Sequence, residues 1–348
     1  MRSGFWCAAL LLAASPLAAQ QLQLDTIPIE SVDFYGLRRI SDSTARRALG
    51  IRLGAPVPDS AGRAAALARL MALPGVDTVR FAPVCCGQNG LMLYVGVEEQ
   101  GAPALQFNSP PSGPQRLPSE VTAAGTAFEA AFDEAIAHRD FAEDDTAGHA
   151  LMHWPAARAV QLGFVNLANR FHTQLSDVLR HSADADQRAL AAQVLAYATD
   201  KRSVVDDLVR ALEDPAGDVR NNAMRALSLI ALLAQRRPDL GITVPYQPMI
   251  ALLQSPVWSD RNKASLALFQ ISAGRDPGLL AALRNRARPA LLEMARWHDL
   301  GHATAALVLL GRMADLSDAT IGQALQQNDR DVILSTGGLP NGSRKDSL

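Results

Sequence analysis

The sequence predicts a mainly α chain in which an α-solenoid of helical repeats follows a small α+β domain. Three observations predict it. A ten-residue helical block beginning at Asp186 recurs at intervals of 32, 41 and 39 residues. Before Gln100 the apolar residues alternate with period two in short stretches, broken by two helical ones. Between the two regions, residues 101–118 hold five prolines, which neither a helix nor a central strand tolerates.

Residues 1–19 read as a signal peptide. Arg2 supplies the positive start, residues 4–12 a short apolar run, and Leu17-Ala18-Ala19 a small-residue cleavage site. The run is too short for a hydrocarbon core of ~30 Å, which needs about 20 apolar residues. An exported protein is expected, periplasmic or outer-membrane-associated, with no integral membrane span once the signal is removed. The 33 basic and 35 acidic residues leave a formal charge of −2. So balanced a surface lacks the positive field that nucleic acid requires, and no nucleic-acid partner is expected. Of three cysteines, Cys7 falls in the signal, leaving the adjacent pair Cys85-Cys86. Neighbouring Cα atoms are about 3.8 Å apart, short of the usual disulfide range of about 4.4–6.8 Å. Disulfides are therefore not expected to hold the fold.

The first domain is read over residues 27–100. Ile27, Ile29, Val32 and Phe34 sit two apart with one slip at Glu30-Ser31, as on a half-buried strand. Ser41 and Asp42 offer N-caps to a helix carrying Ala45, Ala48 and Leu49, stopped by Gly50. A second helix over 59–72 is broken by Leu73-Pro74-Gly75. Strands at 76–81 and 91–98 follow, close enough to form a hairpin. This order, with Tyr35-Gly36-Leu37, Ile40-Ser41, Leu53-Gly54-Ala55-Pro56, Leu73-Pro74-Gly75-Val76 and Val95-Gly96-Val97-Glu98-Glu99, resembles the POTRA domain of the bacterial envelope. The resemblance implies a βααββ module whose second strand, around Val79, presents a free edge to extended peptides. It does not imply membrane-protein insertion, because insertases carry several such domains before a barrel.

Residues 101–118 read as a semi-extended linker that lets the two domains move independently. Residues 119–335 are almost wholly helical in pattern. The blocks opening at Asp186, Asp218, Ser259 and His298 each keep an alanine at the sixth place and a leucine at the tenth. Asp214-Pro215 and Ser255-Pro256 separate the first units. These features, notably Asp218-Val219-Arg220 and Asp260-Arg261 opening the first helix of a pair, resemble the HEAT repeat over residues 183–328. Earlier helices at 119–139 and 155–181 read as irregular or capping repeats, and residues 336–348 as a disordered tail.

No phosphate-binding glycine loop and no nucleophile elbow occur, so no catalytic residue is assigned and no cofactor is expected. His149/His153 and His298/His302 are spaced by four, one helical turn, which could aim two imidazoles at one metal. Neither pair has the glutamate of a zinc hydrolase, and no metal site is assigned. The cluster Asp140, Glu143, Asp144 and Asp145 reads as a solvated loop. A metal-dependent hydrolase built on these histidines and acids is the alternative function. Arg188, Arg220 and Arg261 fall at one place in successive blocks and read as ties between neighbouring repeats. The leading reading is an interaction scaffold for protein partners in the cell envelope. Its expected contact residues lie on second helices: Asp206, Asp207, Arg210 and Glu213, then Arg284, Arg286 and Arg288. The edge at Val79 adds a second surface.

Overall fold

The computed structural model describes residues 27–84, 89–103, 105–138, 140 and 142–336. The signal-peptide reading, the Cys85-Cys86 pair and the tail beyond Thr336 lie outside the described residues.

The first unit has the order β1 (Ile29–Tyr35), α1 (Asp42–Leu49), α2 (Ser60–Met71), β2 (Val76–Val84), β3 (Leu91–Glu99). Ser41 caps α1 by accepting a hydrogen bond from the Thr44 N–H, and Gly50 ends it in the left-handed region at φ 64°. Asp59 caps α2 through the Gly62 N–H. The sheet order is β1-β3-β2, with β1 parallel and β2 antiparallel to β3. The pairing of β1 with β3 shifts register between Ile29 and Ser31, where the sequence alternation slips. Buried Glu99 ties the end of β3 to the turn before α1, accepting from the backbone N–H groups of Arg38, Arg39 and Ile40 at 2.8–3.1 Å. Burial alone would raise its pKa, but those three bonds hold the carboxyl below its ordinary value.

Strand β3 is apolar from Leu91 to Val95 because both of its faces are covered. Leu91, Leu93, Val95 and Val97 point into the module's own core with Leu49, Ala66 and Leu70. Met92 and Tyr94 point the other way, into the core of the helical part.

The helical part runs α3 (Ser119–Ala137), β4 (Glu143–Asp144), β5 (Leu151–Met152), α4 (Pro155–Arg170), α5 (His172–His181), α6 (Ala185–Leu195) and α7 (Arg202–Ala211). It continues with α8 (Gly217–Arg236), α9 (Gln247–Leu252), α10 (Trp258–Ile271), α11 (Pro277–Arg286), α12 (Arg288–Met294), α13 (Leu300–Met313), α14 (Asp318–Gln326) and α15 (Asp331–Thr336). The four sequence blocks open α6, α8, α10 and α13, each of which packs on the next. Their block alanines Ala191, Ala223, Ala264 and Ala303 are fully buried, so the small side chain sets how closely the helices approach. The helical stretch 279–294 is two helices, because Pro289 cannot continue α11 and instead opens α12. Residues 119–335 are almost wholly helical, as expected; the exception among the described residues is the short pair β4 and β5, antiparallel between α3 and α4.

The expectation of two independently moving domains is corrected. The prolines deny residues 101–118 a regular structure of their own, and their backbone bonds go to the solenoid instead. The Asn108 N–H donates to Glu213 O at 2.7 Å, and the Gly113 N–H to His181 O at 2.9 Å. Gly113 O accepts from the Ala183 N–H at 2.9 Å, and the Leu117 N–H donates to Gln187 Oε1 at 2.8 Å. The segment is a strap bound to the turns before α6 and α8.

Candidate functional site

Repeat stacking begins with three arginines. Arg188, Arg220 and Arg261 are each 2% exposed. Each reaches back six residues to a carbonyl, Ser182 at 2.8 Å, Asp214 at 2.7 Å and Ser255 at 2.6 Å. Each also reaches forward to a carboxylate: Arg188 to Asp214 (2.7 and 2.9 Å), Arg220 to Asp260 (3.0 and 2.8 Å), Arg261 to Glu293 (2.9 Å). A planar guanidinium satisfies both demands at once, which an ammonium would not. In the fourth block Leu300 takes the arginine's place. There the carbonyls of Ala295, Trp297 and His298 accept instead from Arg330, which lies just before α15. The repeated arginines are ties between units, as their spacing predicts.

The N-terminal segment lies along this ladder. The Tyr35 ring sits 4.6 Å from the Arg261 guanidinium carbon, and the Phe107 ring 4.1 Å from that of Arg220. The Tyr35 hydroxyl donates to Pro256 O at 3.0 Å, and the Gly36 N–H to Glu293 Oε2 at 3.1 Å. Tyr94 stacks on Trp258 at 5.3 Å, tilts against Trp297 at 4.9 Å and shares a 2.7 Å hydrogen bond with His302 Nδ1. Burial drives the pKa of both tyrosines upward, so each stays a neutral hydroxyl. The aromatic cluster that would suit a partner's hot spot is thus filled by the chain's own sheet. A signal for this was present in the sequence. The continuous apolar run at 91–95 marks a strand covered on both faces, whereas an isolated module would alternate.

The sequence-derived contact residues separate into groups. Asp206, Arg210 and Glu213 are exposed on or just after α7. Asp207 is 4% exposed and ion-paired with Arg180, because it falls on the face of α7 turned toward α5. Asp207 and Arg210 join Arg180, Asp214, Asn108 and Pro111 around a cavity of about 530 Å³ between the strap and α5–α7. Arg284 donates to Met313 O at 2.8 Å and lies 3.4 Å from Asp315. Arg286 is exposed at the end of α11, and Arg288 is half-buried at the start of α12. The Val79 side chain is 4% exposed and belongs to the sheet's core, so only its backbone is available at the β2 edge.

The residues of the hydrolase alternative are dispersed. His149 and His153 flank β5 rather than sharing a helical face; His149 is buried and His153 exposed. Lys201 donates to His149 Nδ1 at 2.9 Å and to Ala196 O at 2.6 Å. Burial and that cation push His149 down to about 4, and burial pushes Lys201 down to about 8. His298 bonds Asp33 and His302 bonds Tyr94, both across the sheet–solenoid contact. Among the described residues no group of three or more histidine, cysteine or acidic side chains is placed to hold a metal ion. The acidic cluster lies at the surface, as expected of a solvated loop, but three of its acids are paired. Glu143 pairs with Arg225, Asp144 with Arg158 and Asp145 with Arg236, fastening the β4–β5 hairpin to α8 and α4.

A second cavity, of about 420 Å³, lies beneath that hairpin. Its walls come from α3, α4, β4 and β5 and from the first helices α6, α8 and α10. No sequence-derived contact residue lines it, because the resemblance directed attention to second helices.

Neither a protein-family model nor a curated protein matches the chain. Among solved structures, a designed armadillo repeat protein in complex with the peptide (KR)4 is similar at 15% identity, over 52% of this chain and 84% of that one, with a TM-score of 0.35. At that score the likeness carries no argument, and the repeat architecture rests on the arginine ladder. The chain is a helical-repeat protein with a small N-terminal sheet docked along its repeats.

Proposed function

We propose that this protein is an interaction scaffold of the cell envelope that takes an extended segment of a partner protein along the free edge of β2. The observation that carries this reading is the position of β2, outermost in the order β1-β3-β2. An edge strand offers backbone donors and acceptors in a row, and strand addition satisfies them while neighbouring side chains select the sequence. Asp77 and Arg80 are exposed on β2, and Pro83 limits pairing toward its end. The βααββ order with this sheet order supports the POTRA-like reading of the module. The envelope location is supported by residues 1–19 of the sequence. Docking on the solenoid holds the edge in a fixed place, which lowers the ordering cost on the scaffold's side of the complex.

The test is a photo-activatable cross-linking residue at Arg80 of the full exported chain, with a matched control at exposed Arg202 on α7. Partner peptides linked through Arg80 and not through Arg202 are expected. Adjacent strand residues aim their N–H groups to opposite sides, so proline at Thr78 or at Val79 removes either an outer donor or a ladder bond. The variant that keeps its fold should lose the cross-link. Equal labelling at both positions, or labelling that survives that proline, ends the edge reading.

A further inference from the structure

The cavity beneath the β4–β5 hairpin contains polar groups that the fold itself does not use. Lys263 of α10 enters it half-buried, and among the described residues its ammonium has no hydrogen-bond or ion-pair partner. Gln193 of α6 is in the same condition, its amide facing the cavity without a protein partner among those residues. Asn222 spends one donor on Ala189 O at 3.0 Å and accepts from Asn221 at 3.3 Å, leaving the Asn221 amide oxygen without a partner among the described residues. Folding does not require a half-buried ammonium and two amides at this place. Leucine or alanine there would pack the first-helix row at no desolvation cost.

The charges select the class of ligand. Arg225 and Lys263 face the cavity with Glu143, and Arg225 is already paired with Glu143. One positive charge is therefore uncompensated, which suits a monoanion, while a second negative charge would meet the Glu143 carboxylate. Gln161 and Tyr197 also line the cavity, but Gln161 accepts from the Met152 N–H and the Tyr197 hydroxyl donates to Ala150 O; the rest of the wall is apolar. Phe128 and Phe132 stack at 5.9 Å with 25° between their planes, and Met152 and Leu229 continue that surface. Phe132 is 37% exposed, so the ring pair is open to an incoming group. A volume of about 420 Å³ falls within the ~300–1,000 Å³ of small-molecule sites.

We propose that this cavity binds a carboxylate carrying an apolar or aromatic side chain, with the carboxylate at Lys263, the amides of Gln193 and Asn221 on its polar neighbours, and the side chain against Phe128 and Phe132. Both a free amino-acid-like acid and the C-terminal residue of a peptide have this chemistry. The site is separate from the β2 edge, and either proposal can fail alone. Burial first, and then the Arg225 cation, lower the pKa of Lys263, and Glu143 opposes them. A bound carboxylate favours the protonated amine, so affinity should fall as pH rises through the amine's own titration.

The experiment is calorimetric titration of the full chain with N-acetyl-phenylalanine and its amide, then with a hexapeptide ending in phenylalanine, free or amidated. The acid should bind at least about tenfold more tightly than the amide, the difference expected of a lost charge-assisted hydrogen bond. Lys263→Met should remove that preference without lowering the melting temperature, since among the described residues Lys263 makes no hydrogen bond or ion pair. Phe132→Ala should weaken acid and amide alike. Tighter binding of the free hexapeptide than of the small acid identifies a peptide C-terminus as the source, and equal binding a free acid. Equal affinity for acid and amide, a preference that survives Lys263→Met, or no binding at about 1 mM overturns the proposal.

Discussion

Asp33 on β1 accepts two hydrogen bonds from His298, one from its backbone N–H at 3.0 Å and one from ring Nδ1 at 2.7 Å. The carboxylate is 6% exposed, on the face of the sheet that meets the solenoid. Its burial is explained by this contact across 265 residues. Asp33→Ala leaves the His298 N–H without its acceptor and should lower stability by about 1–3 kcal/mol. Chemical denaturation measures it; an unchanged midpoint would mean that the sheet does not dock there.

A sharper test of docking uses Gly96. A Cβ on this residue would stand 2.1 Å from the Pro256 carbonyl oxygen and 2.8 Å from the Tyr35 ring. Backbone meets backbone there, and neither side can yield cheaply. Gly96→Val should lift the sheet from the repeats, moving Trp258 and Trp297 into water. A red shift of tryptophan emission and new protease cleavage within 101–118 are expected, and native emission with a resistant strap would contradict the contact.

Arg220 carries one rung of the ladder. Arg220→Ala strands Asp260 in a buried site and removes the bonds to Asp214 O and Pro215 O, a change that should cost about 3–5 kcal/mol. Equilibrium unfolding reads the loss directly. A loss below about 1 kcal/mol would show that the ladder is not what holds the units together.

Two adjacent acids on α7 should behave oppositely. Asp206 is exposed, and Asp206→Lys should shift stability by no more than about 0.5 kcal/mol. Asp207→Lys would press a buried cation against Arg180 and should lower the melting temperature steeply. Similar melting curves for the two reversals would contradict the burial of Asp207.

The buried pair His149 and Lys201 sets a pH dependence. His149 is held at about 4 in the folded chain against an ordinary 6.5. Between those values the unfolded chain binds a proton that the folded chain does not, so stability falls as pH drops from about 6.5 to about 4. The full shift would amount to about 3 kcal/mol, an upper bound on this step. Lys201, near 8 against 10.5, has the same sign, and stability should rise as pH climbs through that higher window. Denaturation across pH with wild type and His149→Gln checks it, since the variant should lose the acid limb.

The two-part architecture was legible because each part repeats a short-range rule. Period-two apolar residues around Val32 and Phe34 gave a strand, and even the slip at Glu30-Ser31 reappears as a register shift. The repeated arginines were legible because a position that recurs in every unit serves the contact between units. The partners of Asp33, Tyr94 and Phe107 were not legible, since pattern reading assigns each residue to its own segment and these meet residues more than a hundred positions away. The ion pairs of the acidic cluster were hidden for a related reason: Arg225 and Arg236, which pair with it, lie on a helix some eighty residues later. The second cavity escaped because its polar residues, Gln193, Asn221 and Lys263, are each unremarkable in an exposed helix and gain meaning only when three helices bring them together.

A stack of helical repeats is ordinarily a spring, each unit held only by its neighbours and free to bend or fray on its own. Here the chain doubles back. Its sheet grips the turns before α10 and α13, and its strap returns to those before α8 and α6. That second run of bonds lies along the length of the stack, so flexing must stretch it. Between α6 and α13 the spring becomes a braced rod: bending that stretch loads the strap in shear, and none of the units opened by α6, α8, α10 and α13 can separate before the brace lets go.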